Sequence, residues 1–492
     1  MRSSRSSIKE PLGKKASGLG KLMSALHQNA SSLVTSKPEQ NGPNQVLPAT
    51  EYITSRRNIC VKLRKEETGL GAEEPISVPS LIQDLAELYP EVIALKIRGT
   101  EAGTWKTWNY NQLYEEIQVV GRAFIETGLQ RHHSVAIIGA NSPEWIICNM
   151  AAIMAGGISV GIQTSLTADE IAKVALDSKA DIIVVDQEHQ LKKVLLIQHK
   201  LPECKAIILI QGEPSIADKR RLHRTHRKHI LSWASLQELG QSLSETRLDD
   251  RQRRIAINQC CSLVYSSGSH STPKGVMFSH DNLTWSAKMA LGFIRAPGFN
   301  RSPAPGEEVL ISYLPLSHIS TQILDIYYCM TVAGTLVFPS SNILHDGDMF
   351  FQEIKTIQPT ILYGPPVIFE RIYHRLVQLR RSVSGVERFF LDWSNGAVSQ
   401  KHLQNHSGLS LPGAKPSGST KIGDIQSKIA KNTVCKKYKE SLGLCPNTLY
   451  LCRGGPLQDR LLRFLSGFDI VVHSGYGQSE TTSFLAANIP KR

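Results

Sequence analysis

The 492-residue sequence predicts an α/β fold in which parallel sheets are doubly wound, with helices on both faces. Two observations carry this. From about Ser77 onward, short apolar runs alternate with longer stretches whose apolar residues recur at helical spacing. Several of the short runs, residues 181–186 and 206–210 among them, are apolar almost throughout, as strands covered on both faces must be.

The elements follow in order. Residues 1–75 are rich in Ser, Lys, Asn and Pro and read as a disordered basic tail. Arg2, Arg5, Lys9, Lys14 and Lys15 precede a weak amphipathic stretch, Leu19, Leu22, Met23 and Leu26. A transit peptide or membrane-surface helix is the alternative to a solvated tail there, and the lack of an apolar h-region argues against a secretory signal. Residues 76–492 have globular composition. Residues 80–88 read as a helix, 92–97 as a strand, 110–127 as an amphipathic helix and 134–139 as a strand. Asn141-Ser142-Pro143-Glu144-Trp145 starts a helix, and residues 158–162 form the next strand. Residues 145–162 come nearest to a membrane span, but Asn149, Gly156 and Gly157 interrupt them, so a buried helix passing into a strand is the better reading. Residues 168–178 and 233–239 are helical, whereas 219–229, with His223, His226 and His229 among many cations, reads as a solvated surface loop.

The chain is organised around residues 265–275, Tyr-Ser-Ser-Gly-Ser-His-Ser-Thr-Pro-Lys-Gly, which follow the short apolar run 261–264. Small hydroxyl residues and a glycine let backbone N–H groups approach an anion, so Ser266, Ser267, Gly268, Ser269 and Gly275 are candidate phosphate contacts. Lys274 adds a point charge suited to the outer phosphates of a nucleotide. Gly268 and Lys274 have the Walker spacing, but that motif needs Gly before the lysine and Ser or Thr after it, and Pro273 and Gly275 stand there.

Further on, the strand 309–313 delivers Leu314-Pro315-Leu316-Ser317-His318-Ile319 to its carboxyl end, where open α/β sheets collect ligands. Residues 359–366 are another strand-to-loop passage, with a helix opening at Val367. Residues 382–448 are poorly periodic and suggest no chemistry. Leu449-Tyr450-Leu451-Cys452-Arg453-Gly454-Gly455-Pro456-Leu457 is a strand followed by small residues. After a strand at 469–473 comes Gly475-Tyr476-Gly477-Gln478-Ser479-Glu480-Thr481, which offers an aromatic face, a hydroxyl and a carboxylate for a hard cation.

These four motifs, in this order, resemble the adenylate-forming (AMP-binding) superfamily, and their neighbours resemble the bubblegum-type long-chain acyl-CoA synthetases. The resemblance implies the large N-terminal adenylation domain of a long-chain fatty acid–CoA ligase, with ATP, Mg2+ and coenzyme A as cofactor and co-substrates and a long-chain fatty acid as the acid. It implies that His318 lies beside the acyl carboxylate and that Lys274 and Glu480 complete the catalytic set. Gly454 and Gly455 would pack against adenine and Tyr476 would stack on it. Gly477, Gln478, Ser479 and Thr481 would surround the α-phosphate, and Glu480 would bind the magnesium. His270, Ser271, Val367 and Arg453 depart from the family pattern, in which Thr, Gly, Arg and Gly are usual. The family's Thr-Gly-Asp motif, hinge and mobile C-terminal lid domain find no match before Arg492, so a chain truncated before that domain is expected. A catalytically impaired nucleotide- or acyl-binding module is therefore the alternative function.

Composition agrees. Fifty-six basic against 43 acidic residues give a net +13, suited to nucleotides, coenzyme A or acidic lipid surfaces. No basic stripe interleaved with aromatics points to nucleic acid. Nine cysteines without C-x-x-C pairing read as reduced thiols, which places the chain in the cytoplasm, with peripheral contact to the endoplasmic reticulum or another intracellular membrane left open.

Overall fold

In the computed structural model the described residues are 42–488, apart from 65, 102, 227, 267–273, 297–298, 300, 341–342 and 406–420. The amphipathic stretch at Leu19–Leu26 and most of the 265–275 loop lie outside them.

Among the described residues, fifteen strands form two sheets. The chain begins with β1 (Ile93–Arg98) and β2 (Trp105–Asn109), an antiparallel pair. It then builds a complete second sheet: β3 (Ser134–Ile138), β4 (Ile158–Ile162), β5 (Ala180–Val185), β6 (Ala206–Leu209), β7 (His229–Ser232), β8 (Cys260–Ser266) and β9 (Lys274–Ser279). It returns to the first sheet with β10 (Val309–Ile311), β11 (Thr335–Phe338), β12 (Ile361–Gly364), β13 (Leu449–Cys452), β14 (Val472–Tyr476) and β15 (Ala486–Ala487). The seven-stranded sheet has order β7-β6-β5-β3-β4-β8-β9, parallel except for the β8–β9 hairpin. The eight-stranded sheet has order β15-β14-β13-β12-β10-β11-β1-β2 and is parallel from β14 to β1.

Alternation along the strands explains the layering. In β3, Val135 and Ile137 join the largest apolar core, whereas Ala136 and Ile138 join a second core on the opposite face. In the other sheet Leu310 and Tyr363 face the large core, and Ile311 and Leu362 face a third. The large core therefore lies between the two sheets, and helices fill it. The helix Pro143–Met154 buries every residue except Glu144, because protein surrounds it on all sides. That is why its sequence approaches membrane-span hydrophobicity, and among the described residues no helix is long and apolar enough to cross a bilayer.

Local signals set the helix starts. Ser142 caps the helix of the Asn-Ser-Pro-Glu-Trp turn by accepting from Trp145 N, with Pro143 at the first helical position. Asn109–Gln112, Thr167–Glu170 and Ser279–Asn282 form reciprocal capping boxes.

Four expectations need correction. Residues 42–64, assigned by composition to the mobile tail, are tied to the body by polar contacts from about 200 residues away. Gln45 Nε2 donates to the carbonyls of Arg253 and Ile255, both at 2.9 Å, and Arg64 pairs with Asp281 at 3.0 Å. Such long-range bonds leave no trace in local composition. Residues 219–226 belong to a helix, Ile216–His226, on which Leu222 is buried, rather than a surface loop. The aperiodic region contains the helices Gly385–Asn405, Lys421–Ala430 and Lys436–Ser441, with a π-helical link at Lys431–Cys435. The last parallel strand starts at Val472 rather than Asp469, because Asp469 takes a left-handed φ of 59° that ends the preceding helix.

All nine cysteines are free thiols, seven of them buried. Burial pushes the Cys260 thiol up to about 12, which makes it unreactive.

Candidate functional site

The β8–β9 hairpin brings the central motif to its position. Its last register pair is Ser266 with Lys274, so the chain leaves the sheet at Ser266 and re-enters it at Lys274. Ser267, Gly268 and Ser269 lie outside the described residues. Lys274 is exposed. Gly275 lies under the Tyr265 ring, where an added Cβ would come within 2.9 Å of Cζ and would have to displace that ring. The Tyr265 hydroxyl donates to Asp177.

From the other sheet, β14 ends in the Tyr476–Thr481 turn. Tyr476 is 65% exposed, a ring face free for a flat partner. Gly477 is obligatory, because a Cβ there would lie 1.5 Å from the carbonyl oxygen of Ser483. The turn is closed by Gln478 N donating to Thr481 Oγ1 at 3.1 Å and by Ser483 N donating to the Gln478 carbonyl at 3.2 Å. Glu480 projects from it, exposed and with no ion-pair partner among the described residues.

Lys274 and Glu480, 206 positions apart in sequence, line one cavity of about 890 Å³ together with Gly275 and Thr482. Each sheet supplies one of the two charges. Gly454 and Gly455 follow β13, Gly454 with φ 81° and Gly455 against the Pro366 ring. They, Tyr476 and His318 are not part of that cavity's lining.

His318 is placed by a different device. Asn141, from the Asn-Ser-Pro-Glu-Trp turn, donates to Ser312 Oγ (2.9 Å) and the Leu314 carbonyl (2.6 Å) and accepts from Leu316 N (3.1 Å). It thus clamps the Leu314–Leu316 loop of one sheet to the end of a strand of the other. Gly161 in β4 lets that loop close in, since a Cβ would meet Ser317 Cα at 2.9 Å. The imidazole of the exposed His318 lies 3.5 Å from Gln163, and partial desolvation of the ring lowers its pKa from the usual histidine value.

Three features escaped sequence reasoning. Arg57, Tyr52 and Asn258 also line the cavity. The first two sit in a stretch whose composition reads as tail. Asn258 pins that stretch by bonding the Leu47 amide and carbonyl and the Val61 carbonyl. Arg453, where the resemblance expects glycine, is turned inward instead of covering the loop, with Nη1 on Ser483 Oγ and Nη2 on the Ser483 carbonyl, both 2.6 Å. A His133–Asp181–Glu203 trio could ligate a metal, but Lys205 Nζ lies 3.0 Å from Asp181 and the Gln130 amide bonds its other oxygen, so a cation is already supplied.

Comparison with known proteins places this geometry. The profile of a family described as "AMP-binding enzyme" matches residues 82–492. The chain is 32% identical over 437 residues to long-chain-fatty-acid–CoA ligase ACSBG2 of Xenopus laevis, covering 89% of this chain and 55% of that protein. It is 30% identical over 453 residues to the ACSBG1 ligase of Mus musculus, covering 92% and 58%. The chain thus spans a little over half the length of the curated relatives it matches. Among solved structures, the A-PCP didomain of carboxylic acid reductase from Segniliparus rugosus, in complex with AMP, superposes with a TM-score of 0.59 at 18% identity, over 83% of this chain and 53% of that one.

Proposed function

Because this chain belongs to the family of AMP-binding enzymes, we propose that it activates the carboxylate of a long-chain fatty acid with ATP, ahead of acyl transfer to coenzyme A. The observation that carries this reading is the pairing of Lys274 and Glu480 across one cavity built from both sheets. Catalysis of such a step is largely positioning plus neutralisation of charge on phosphate. Lys274 supplies a fixed positive charge to the phosphates. Glu480 fits a hard divalent cation, since its carboxylate is exposed and unpaired among the described residues. Bound magnesium there would offset the remaining phosphate charge. Tyr476 offers its open face to adenine, with Gly454 and Gly455 on the adenine side, and Ser479 bonds the α-phosphate. His318 orients the acyl carboxylate by hydrogen bonding, and the lowered pKa of its imidazole favours the uncharged ring. The ligase names of the relatives favour this reading over a catalytically impaired binding module. We place the reaction in the cytoplasm, with the basic chain touching membranes only peripherally.

Glu480→Gln tests the site. It is expected to weaken Mg·ATP binding by about tenfold or more, ~1.4 kcal/mol per decade, and to leave binding of magnesium-free adenosine unchanged. Titration calorimetry with both ligands decides it. Equal loss for both would make Glu480 a structural residue and remove the metal assignment.

A further inference from the structure

We propose that Arg57, brought in by residues 52–61, is a third charged contact for the phosphate groups of the ligand, an inference that rests on the reading above. Three observations support it. Asn258 fastens the chain on either side of this segment, through Leu47 before it and Val61 at its end, and Lys62 N donates to the Glu51 carbonyl at 2.6 Å. The intervening residues thereby become a wall of the cavity that holds Lys274 and Glu480. Arg57 lines that wall, and its Nη1 is shielded from solvent with no hydrogen-bond acceptor. Arg57 is half-buried, and charged donors in such places are ordinarily paired. A guanidinium with unused hydrogen-bonding capacity on the wall of a cavity that also holds Lys274 is therefore placed to meet an anionic ligand.

The ligand chemistry follows from the groups around it. The cavity wall carries two cations, Lys274 and Arg57, and two carboxylates: Asp177, which already accepts from the Tyr265 hydroxyl, and the exposed Glu480, suited to a divalent ion. With a divalent cation on Glu480 the set suits a phosphate chain, and a guanidinium's planar fork matches two phosphate oxygens at once. A nucleoside triphosphate and the phosphates of coenzyme A share this chemistry.

The test is titration of the 492-residue chain with Mg·ATP, with coenzyme A and with adenosine, for wild type, Arg57→Ala, Arg57→Lys and Lys274→Ala. Arg57→Ala is expected to weaken one phosphate ligand by roughly ten- to a hundredfold, in line with loss of a charged hydrogen bond, while adenosine binding and the thermal midpoint stay unchanged. Arg57→Lys is expected to restore only part of the loss. A loss confined to Mg·ATP assigns Arg57 to the nucleotide, and a loss confined to coenzyme A assigns it to the thiol carrier. Unchanged binding of both in Arg57→Ala, with Lys274→Ala impaired, overturns the role of Arg57 and leaves the site itself standing. A parallel drop in adenosine binding or in the thermal midpoint also overturns it, making Arg57 part of the wall only. If wild type binds neither phosphate ligand, the functional reading fails, and this inference with it.

Discussion

Asp469→Asn is expected to destabilise the fold by about 3 kcal/mol at neutral pH, the scale for stranding buried charge by removing its partner. Asp469 gathers His402 at 2.9 Å, Lys431 at 2.7 Å and Lys439 at 3.2 Å. Lys439 is buried and otherwise bonds only backbone carbonyls, of Pro446 and of Asp469 itself. Asparagine keeps the size of the side chain and tolerates the φ of 59°, so the loss isolates the charge. Burial opposes ionisation of Asp469, but the His402 hydrogen bond and the two lysines outweigh it and hold the carboxyl well below its usual range. A folded pKa below the unfolded value of about 3.9 means that the stabilisation is complete above about pH 4 and disappears as the pH falls through the folded value. Urea unfolding of wild type and variant should therefore differ most at neutral pH and converge in acid. Equal stability at pH 7, or a gap that widens in acid, would show that the cluster contributes little.

Arg453→Met should cost about 2–3 kcal/mol and also weaken Mg·ATP binding. The guanidinium stacks 3.8 Å from the Phe484 ring centroid and grips the buried Ser483 through its hydroxyl and carbonyl. Ser483 and Thr482 have φ of 89° and 52°, conformations that cost a non-glycine residue about 1–3 kcal/mol each unless their surroundings impose them. The same Ser483 carbonyl closes on Gly477, so Arg453 holds the turn that presents Glu480. Methionine fills the space but leaves two buried acceptors unpaired, at about 1–3 kcal/mol each, partly offset because a cation without a carboxylate partner no longer has to be buried. That burial already pushes the Arg453 pKa down to about 10. Arg453→Lys keeps the charge without the fork and should recover little of either property. A variant with unchanged unfolding midpoint and unchanged Mg·ATP affinity would show that the turn holds itself.

Most of the fold was legible because its signals are local. The largely apolar runs of β3, β5 and β6 state that both faces are covered, and capping residues such as Ser142 and Thr167 mark helix starts within a residue or two. The site motifs were legible for a related reason. Gly477 is a glycine because the Ser483 backbone leaves no room for a Cβ, Gly275 lies directly under the Tyr265 ring, and Glu480 stands on a tight turn that projects it.

The sequence by itself determined the doubly wound α/β class, the order of the motifs and the residue types of the candidate site, since periodicity, capping and turn chemistry act over a few residues. Only the tertiary structure decided which of those motifs meet. Lys274 and Glu480 share a cavity because two sheets pack on one core, and no local pattern encodes the distance between positions 274 and 480. It also decided that polar residues 42–64 belong to the body, through Asn258 and Asp281 far along the chain. Arg453 likewise folds inward onto Ser483 rather than outward over its loop. In each case the deciding interaction, apolar packing in the first and hydrogen bonds or an ion pair in the other two, joins residues distant in sequence that folding alone brings together.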